Sequence, residues 1–205
     1  MTPEIREWQS GPGRVNYLGK RLGRDGIMGP STRWAMYLET LEPWRQTAVR
    51  AMLTLRGLHE QGVNRGTVPD MVLDIAGAPM GSPWCAATYS WALWIAGLCQ
   101  RNGFHPSASV VALRAQLRPV PFEQVQAGDF ASLVHEDGKH GHGGMVIWPG
   151  VDWLASCDAN ISDEVDVIRY PMSRRQYHSP VLGGYAARPG EPPESIRLYS
   201  NGPTR

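Results

Sequence analysis

The chain has 205 residues, 42% of them hydrophobic, and its 20 Lys and Arg against 19 Asp and Glu leave a formal net charge of +1. That length and apolar content suit one medium domain with its own core, and the near-balance of charge excludes a global field that would draw it onto nucleic acid or an anionic membrane. Three cysteines, Cys85, Cys99 and Cys157, are too few and too scattered for a disulfide framework and are read as free thiols.

The opening MTPEIREWQSGPG has neither the basic nor the apolar region of a secretory signal, so the expectation is synthesis in the cytoplasm. Two apolar-periodic pieces follow within residues 1–42, RVNYLGKRL and STRWAMYLETL, parted by GRDGIMGP. The glycines and proline make that separator a tight loop, and Ser31 or Thr32 can cap the helix after it. From residue 43, Trp44, Ala48, Met52 and Leu55 recur at helical spacing with Arg45, Arg50 and Arg56 between them. This predicts an amphipathic helix over 43–61, ended by Gly62, Asn64 and Gly66, with a short helix starting at Pro69.

The run GSPWCAATYSWALWIAGLC, residues 81–99, contains no formal charge. It falls short of the roughly 20 apolar residues that a span needs and holds Thr88, Tyr89, Ser90 and Gly97, so it predicts a buried helix and no membrane insertion. Ser82 suits the N-cap and Pro83 the first helical position, which puts Cys85 in the first turn. There the helix dipole and free backbone N–H groups favour a thiolate, the nucleophilic form. The rival reading makes Cys85 a small apolar core residue.

A short helix is predicted near SASVVALRAQL, and beyond Pro121 the texture turns to strands: AGDFASLV, GGMVIW, DWLASCD, EVDVIRY and GGYAAR, separated by turns such as HEDGKHGHG and PGVD. Helices first and strands later predict an α+β fold with an antiparallel sheet packed on a central helix. Residues 191–205 read as a peripheral tail. His142 opens a strand, and on the next one Asp158 and Asn160 share a face while Cys157 points the other way. A hairpin would bring His142 beside Asp158 or Asn160, supplying a base and its orienting partner. His140 is the rival base, but it lies in a glycine-rich loop. His135, His140, His142, Cys157 and Asp158 could also ligate a metal, yet no HExxH or CxxC accompanies them, so no metal is expected. His59, His105 and His178 are expected to be solvated.

The runs VLDIAGAPMGSPWCAATYSW, AGDF, GHGGMVIW and CDAN together resemble the papain-like cysteine peptidases and amidases of the CHAP and NlpC/P60 type. The resemblance implies a papain-like core over 43–190, with Cys85 as nucleophile, His142 as general base, Asp158 or Asn160 as its partner, and no cofactor. Departures are Gly143 in place of a bulky residue, Ala127 in place of proline in AGDF, Asp158 in place of Glu, and no D-x-D calcium motif before the cysteine. Asp25, Gly26, Gly29, Pro30 and Thr32 resemble the loop of a small peptidoglycan-binding domain, which would make 1–42 a wall-binding head. Trp84, Asp25 and Gly26 are then the candidate substrate contacts. The implied activity is hydrolysis of an amide in or next to the peptidoglycan stem peptide, as an N-acetylmuramoyl-L-alanine amidase or an endopeptidase. The implied partner is bacterial peptidoglycan and the expected state a monomer. A phage endolysin released through a holin fits the missing signal. The alternatives are a contact-delivered cell-wall toxin or effector with the same chemistry, and an inactive cell-wall-binding protein.

Overall fold

The computed structural model describes residues 3–12, 14, 16, 20–101, 104–134, 141–171, 176–180 and 197–198. His135, His140 and the expected strand GGYAAR lie outside the described residues. Helices α1 (Pro3–Gln9), α2 (Pro30–Glu39), α3 (Pro43–Thr54), α4 (Thr67–Ile75), α5 (Cys85–Ile95), α6 (Leu98–Arg101) and α7 (Val110–Gln116) precede the sheet. Its strands are β1 (Arg118–Val120), β2 (Phe130–Val134), β3 (Gly141–Pro149), β4 (Trp153–Ile161), β5 (Glu164–Pro171), β6 (Gln176–Ser179) and β7 (Arg197–Leu198).

The sheet order is β1-β6-β2-β3-β4-β5-β7. Every pairing is antiparallel except β5 with β7, which is parallel and brings two residues of the expected tail onto the sheet edge. β6 was not foreseen as a strand. QYHS is short, and it inserts between β1 and β2, partners more than 40 residues away in the chain.

α5 is apolar on all sides, and a helix of that kind belongs inside a protein. Its residues Cys85 to Leu93 are all buried, and it packs against α3, α4 and β3. It carries the thiol at its first residue and rests on an antiparallel sheet, which is the α+β, papain-like layout expected. Among the described residues no helix is long and apolar enough to cross a membrane. The main core lies between the helices and one face of the sheet. A second apolar cluster, including Val146, Leu154, Ile168 and Tyr170, occupies the other face.

Two expectations are corrected. The helix from residue 43 ends at Thr54, because Gly57 turns out of it at a φ of 79° and the chain then runs beside β5, with Gly57 N–H donating to Val165 O at 2.8 Å. Arg45, placed by periodicity on a polar face, is only 2% exposed. Its guanidinium donates to Asp129 Oδ1 and Ala127 O, each at 2.8 Å, and to Ser179 Oγ at 2.9 Å, tying α3 to the AGDF turn and to β6. Residues on both sides of the expected boundary at residue 42 meet in the main core. Trp34, Ala35, Leu38 and Leu41 belong to the main core, Trp34 Nε1–H donates to Ile147 O at 2.8 Å, and Ala127 N–H donates to Tyr37 Oη at 3.2 Å.

Candidate active site

Cys85 is the first residue of α5, but Ser82 is not its cap. Ser82 N–H closes a turn on Pro79 O at 3.2 Å, and Trp84 occupies the N-cap position without a side-chain cap bond. The reaction-relevant point survives this shift, since the thiol still lies in the first turn, where backbone N–H groups lack helical partners. Trp84 is fully buried and its indole N–H donates to Glu60 Oε2 at 3.0 Å, so it anchors the segment before the thiol and cannot be a substrate contact.

His142, near the start of β3, stands beside the Cys85 thiol and interacts with it. Its other ring edge meets Asp158 on β4, Nε2 to Oδ2 at 2.8 Å, and Asp158 is wholly buried. Cys85, His142 and Asp158 thus form one continuous relay, with Nε2 carrying the proton toward the carboxylate. Gly144 lies opposite Asp158 in the β3–β4 register. A Cβ there would fall 1.9 Å from Asp158 Oδ1 and 2.8 Å from Cys157 O, so no larger residue leaves room for the carboxylate. Gly143 has a similar cause: a Cβ would sit 2.4 Å from the Phe130 ring, which fills the space that a bulky residue would need.

Asn160 takes no part in the relay. A register break separates Asp158 from Ile161, and Asn160 sits within it at a φ of 59°, so the strand alternation that would align it with Asp158 is interrupted. No hydrogen bond among the described residues joins it to His142.

Burial pushes the Cys85 thiol up, but hydrogen bonding and charge from His142, with backbone N–H groups of Gly143 and Ala86, outweigh it and hold the thiol below its ordinary value. Burial also opposes a charged His142, yet Asp158 and Cys85 lift it to about 9. Both shifts have one cause, since a thiolate and an imidazolium placed side by side stabilise each other. Cys157 differs: burial and then Asp158 push it far up, and its thiol donates to Met52 O at 3.7 Å. Cys99 is also pushed up by burial.

The thiol lines an open cleft of about 530 Å³ with Gly77, Pro79, Ser82, Ser109 and Gly141 among its walls, and no charged side chain lines it among the described residues. Asp25 and Gly26 lie elsewhere, braced against α1. Gln9 Nε2–H donates to Asp25 Oδ1 at 2.8 Å, and Gly26 N–H donates to Gln9 Oε1 at 2.8 Å. Asp25 lines a separate cavity of about 240 Å³, while Gly26 is buried. Among the described residues no three His, Cys, Asp or Glu side chains converge as metal ligands. His59 and His105 are exposed, whereas His178 is buried and driven down to about 4, first by burial and then by Arg114, correcting its expected solvation.

The relay has a further member that the sequence did not suggest. Tyr170, on β5, donates its O–H to Asp158 Oδ2 at 2.9 Å. Only the terminal position of a tyrosine in a strand-like run was visible beforehand.

No family model matches the chain, and no curated protein matches it. Among solved structures the chain is similar to the P60 domain of an antigen from M. avium subspecies paratuberculosis, at 11% identity and a TM-score of 0.46, over 72% of this chain and 99% of that one.

Proposed function

We propose that the protein is a thiol-dependent amide hydrolase acting on bacterial peptidoglycan, as an N-acetylmuramoyl-L-alanine amidase or a stem-peptide endopeptidase. The observation that carries the chemistry is the Cys85–His142–Asp158 relay at the wall of an open cleft. The substrate assignment is supported by the motif resemblance around Cys85 and His142 and by the loop at Asp25. A phage endolysin is the setting this reading favours.

In this reaction the Cys85 thiolate attacks the amide carbonyl, and the backbone N–H of Cys85 at the head of α5 helps hold the oxyanion. The imidazolium of His142 protonates the departing amine, leaving a thioester and a neutral imidazole. His142 then takes a proton from water, whose oxygen attacks the thioester, and returns the proton to the Cys85 sulfur as the acid leaves. Asp158 keeps Nε2–H engaged, so the ring presents its other nitrogen to the sulfur throughout.

The test is mass spectrometry of soluble products released from purified peptidoglycan. A new N-terminal alanine identifies an amidase, and a cut within the peptide identifies an endopeptidase. Cys85→Ala is expected to abolish release while leaving the circular dichroism spectrum unchanged. Absence of any product from the unmodified chain, or full activity in Cys85→Ala, would overturn the reading.

A further inference from the structure

The bond from Tyr170 to Asp158 bears on how the relay is held. We propose that Tyr170 is a positioning residue of this site, its phenol fixing the Asp158 carboxylate in the orientation that meets His142. The inference rests on the thiol–imidazole chemistry proposed above.

Asp158 is removed from water and has to find its donors within the protein. Oδ2 receives two: His142 Nε2–H at 2.8 Å and Tyr170 O–H at 2.9 Å. A second carboxylate, Asp166, stands directly opposite Asp158 in the β4–β5 register. Arg56 serves that one, its Nε–H donating to Asp166 Oδ1 at 3.1 Å. Like charges facing each other across a strand pair oppose ionisation. A donor fixed on Asp158 therefore favours the anion that His142 requires.

The two donors differ in constancy. His142 changes charge at each half of the reaction, while the phenol is not a proton carrier in it and remains a neutral donor. Its ring is 2% exposed and packed in the second apolar cluster with Leu154 and Ile168, so the hydroxyl is held in place by packing. Tyr170 is not among the residues that line the cleft. The bond it makes leads to Cys85 through Asp158 and His142.

The test uses the full chain and reads the rate at which iodoacetamide alkylates Cys85 near pH 6, with peptide mapping to confirm the site. Tyr170→Phe keeps the ring and removes only the donor, and is expected to slow alkylation about tenfold, the scale of losing a hydrogen bond to a charged group. In an Asp158→Ala background, already slow, the same change is expected to add nothing. Wild-type alkylation in Tyr170→Phe, or an equal slowing in both backgrounds, would overturn the proposal, the latter marking a purely structural role. Should Tyr170→Phe fail to fold, recovery of the fold in the double variant supports the link to Asp158, and failure there overturns it. No substrate enters this measurement, so a chain that proved inactive on peptidoglycan would sink the functional reading and leave the test of Tyr170 standing.

Discussion

Cys85 is buried, and burial alone would push its thiol up; the opposing pull of His142 and two backbone N–H groups holds it below its ordinary value. Sub-stoichiometric iodoacetamide near pH 6 is therefore expected to label Cys85 before Cys99 or Cys157, whose thiols burial pushes up. Equal labelling of all three would contradict the ion pair. The pH dependence follows from His142: its imidazolium protonates the departing amine, so kcat/KM is expected to fall as pH rises through about 9. The stability linkage has the same sense. A folded value raised above 6.5 to about 9 gives His142 a stabilising contribution that is complete below about 6.5 and lost as pH climbs through about 9. Gly144 supplies a purely steric test, since a Cβ placed 1.9 Å from Asp158 Oδ1 has to displace the carboxylate. Gly144→Ala is expected to lower kcat by about 100-fold, the usual scale for a misplacement of about 1 Å. Unchanged kcat would mean that Asp158 is not needed where it stands. The sequence displayed Cys85, His142 and Asp158 as chemistry, but Gly144 looked like one more glycine in GHGGMVIW, because clearance depends on a strand that pairs only in the fold.

At the scale of elements, the hairpin between β4 and β5 turns at Ser162 and Asp163, with φ values of 48° and 65°. Two consecutive residues in the left-handed region make the kind of tight turn that asparagine and glycine prefer, and Ser-Asp is a poor substitute. Asp163→Gly is expected to stabilise the protein by about 0.5–1 kcal/mol, read as a rise in Tm with kcat unchanged. A fall in Tm would show that the aspartate side chain does more than tolerate the turn. Arg45 tests the other end of the sheet. It is paired with Asp129 inside the core, so Arg45→Ala leaves a buried carboxylate and is expected to cost about 3–5 kcal/mol in denaturant unfolding. A loss below about 1 kcal/mol would mean that water reaches Asp129. Periodicity around Arg45 reports which residues share a helix face but not what that face meets, and the AGDF turn that satisfies this guanidinium lies about 80 residues further on.

For the whole molecule, the question is whether residues 1–42 form a head or part of the body. Trp34 is wholly buried in the main core, with its indole N–H on Ile147 O in β3. Trp34→Ala is expected to cost about 3–5 kcal/mol, the range for emptying a buried aromatic site. Deleting residues 1–42 is expected to abolish cooperative unfolding and near-ultraviolet circular dichroism, because β3 and α3 lose the apolar surface that covers them. A truncated chain that unfolds cooperatively at the original Tm would restore the separable head expected from the loop at Asp25.

Local chemistry alone determined a good deal here: an uncharged run too short for a membrane had to be a buried helix, a cysteine at its start had to feel the helix N-terminus, and alternating strands after Pro121 had to form a sheet. These follow from hydrophobic period and backbone geometry, which act over a few residues. Only the tertiary structure decided that Asp158 and not Asn160 meets His142, because a register break falls between them. It also decided that Tyr170 joins the relay, that β6 enters between β1 and β2, and that Trp34 of α2 reaches Ile147 in β3. Each of these depends on register or close packing between segments that have no local pattern in common. A shift of one residue in a strand reverses its faces, and burial on the final face, not the order of residues along the chain, selects among such arrangements.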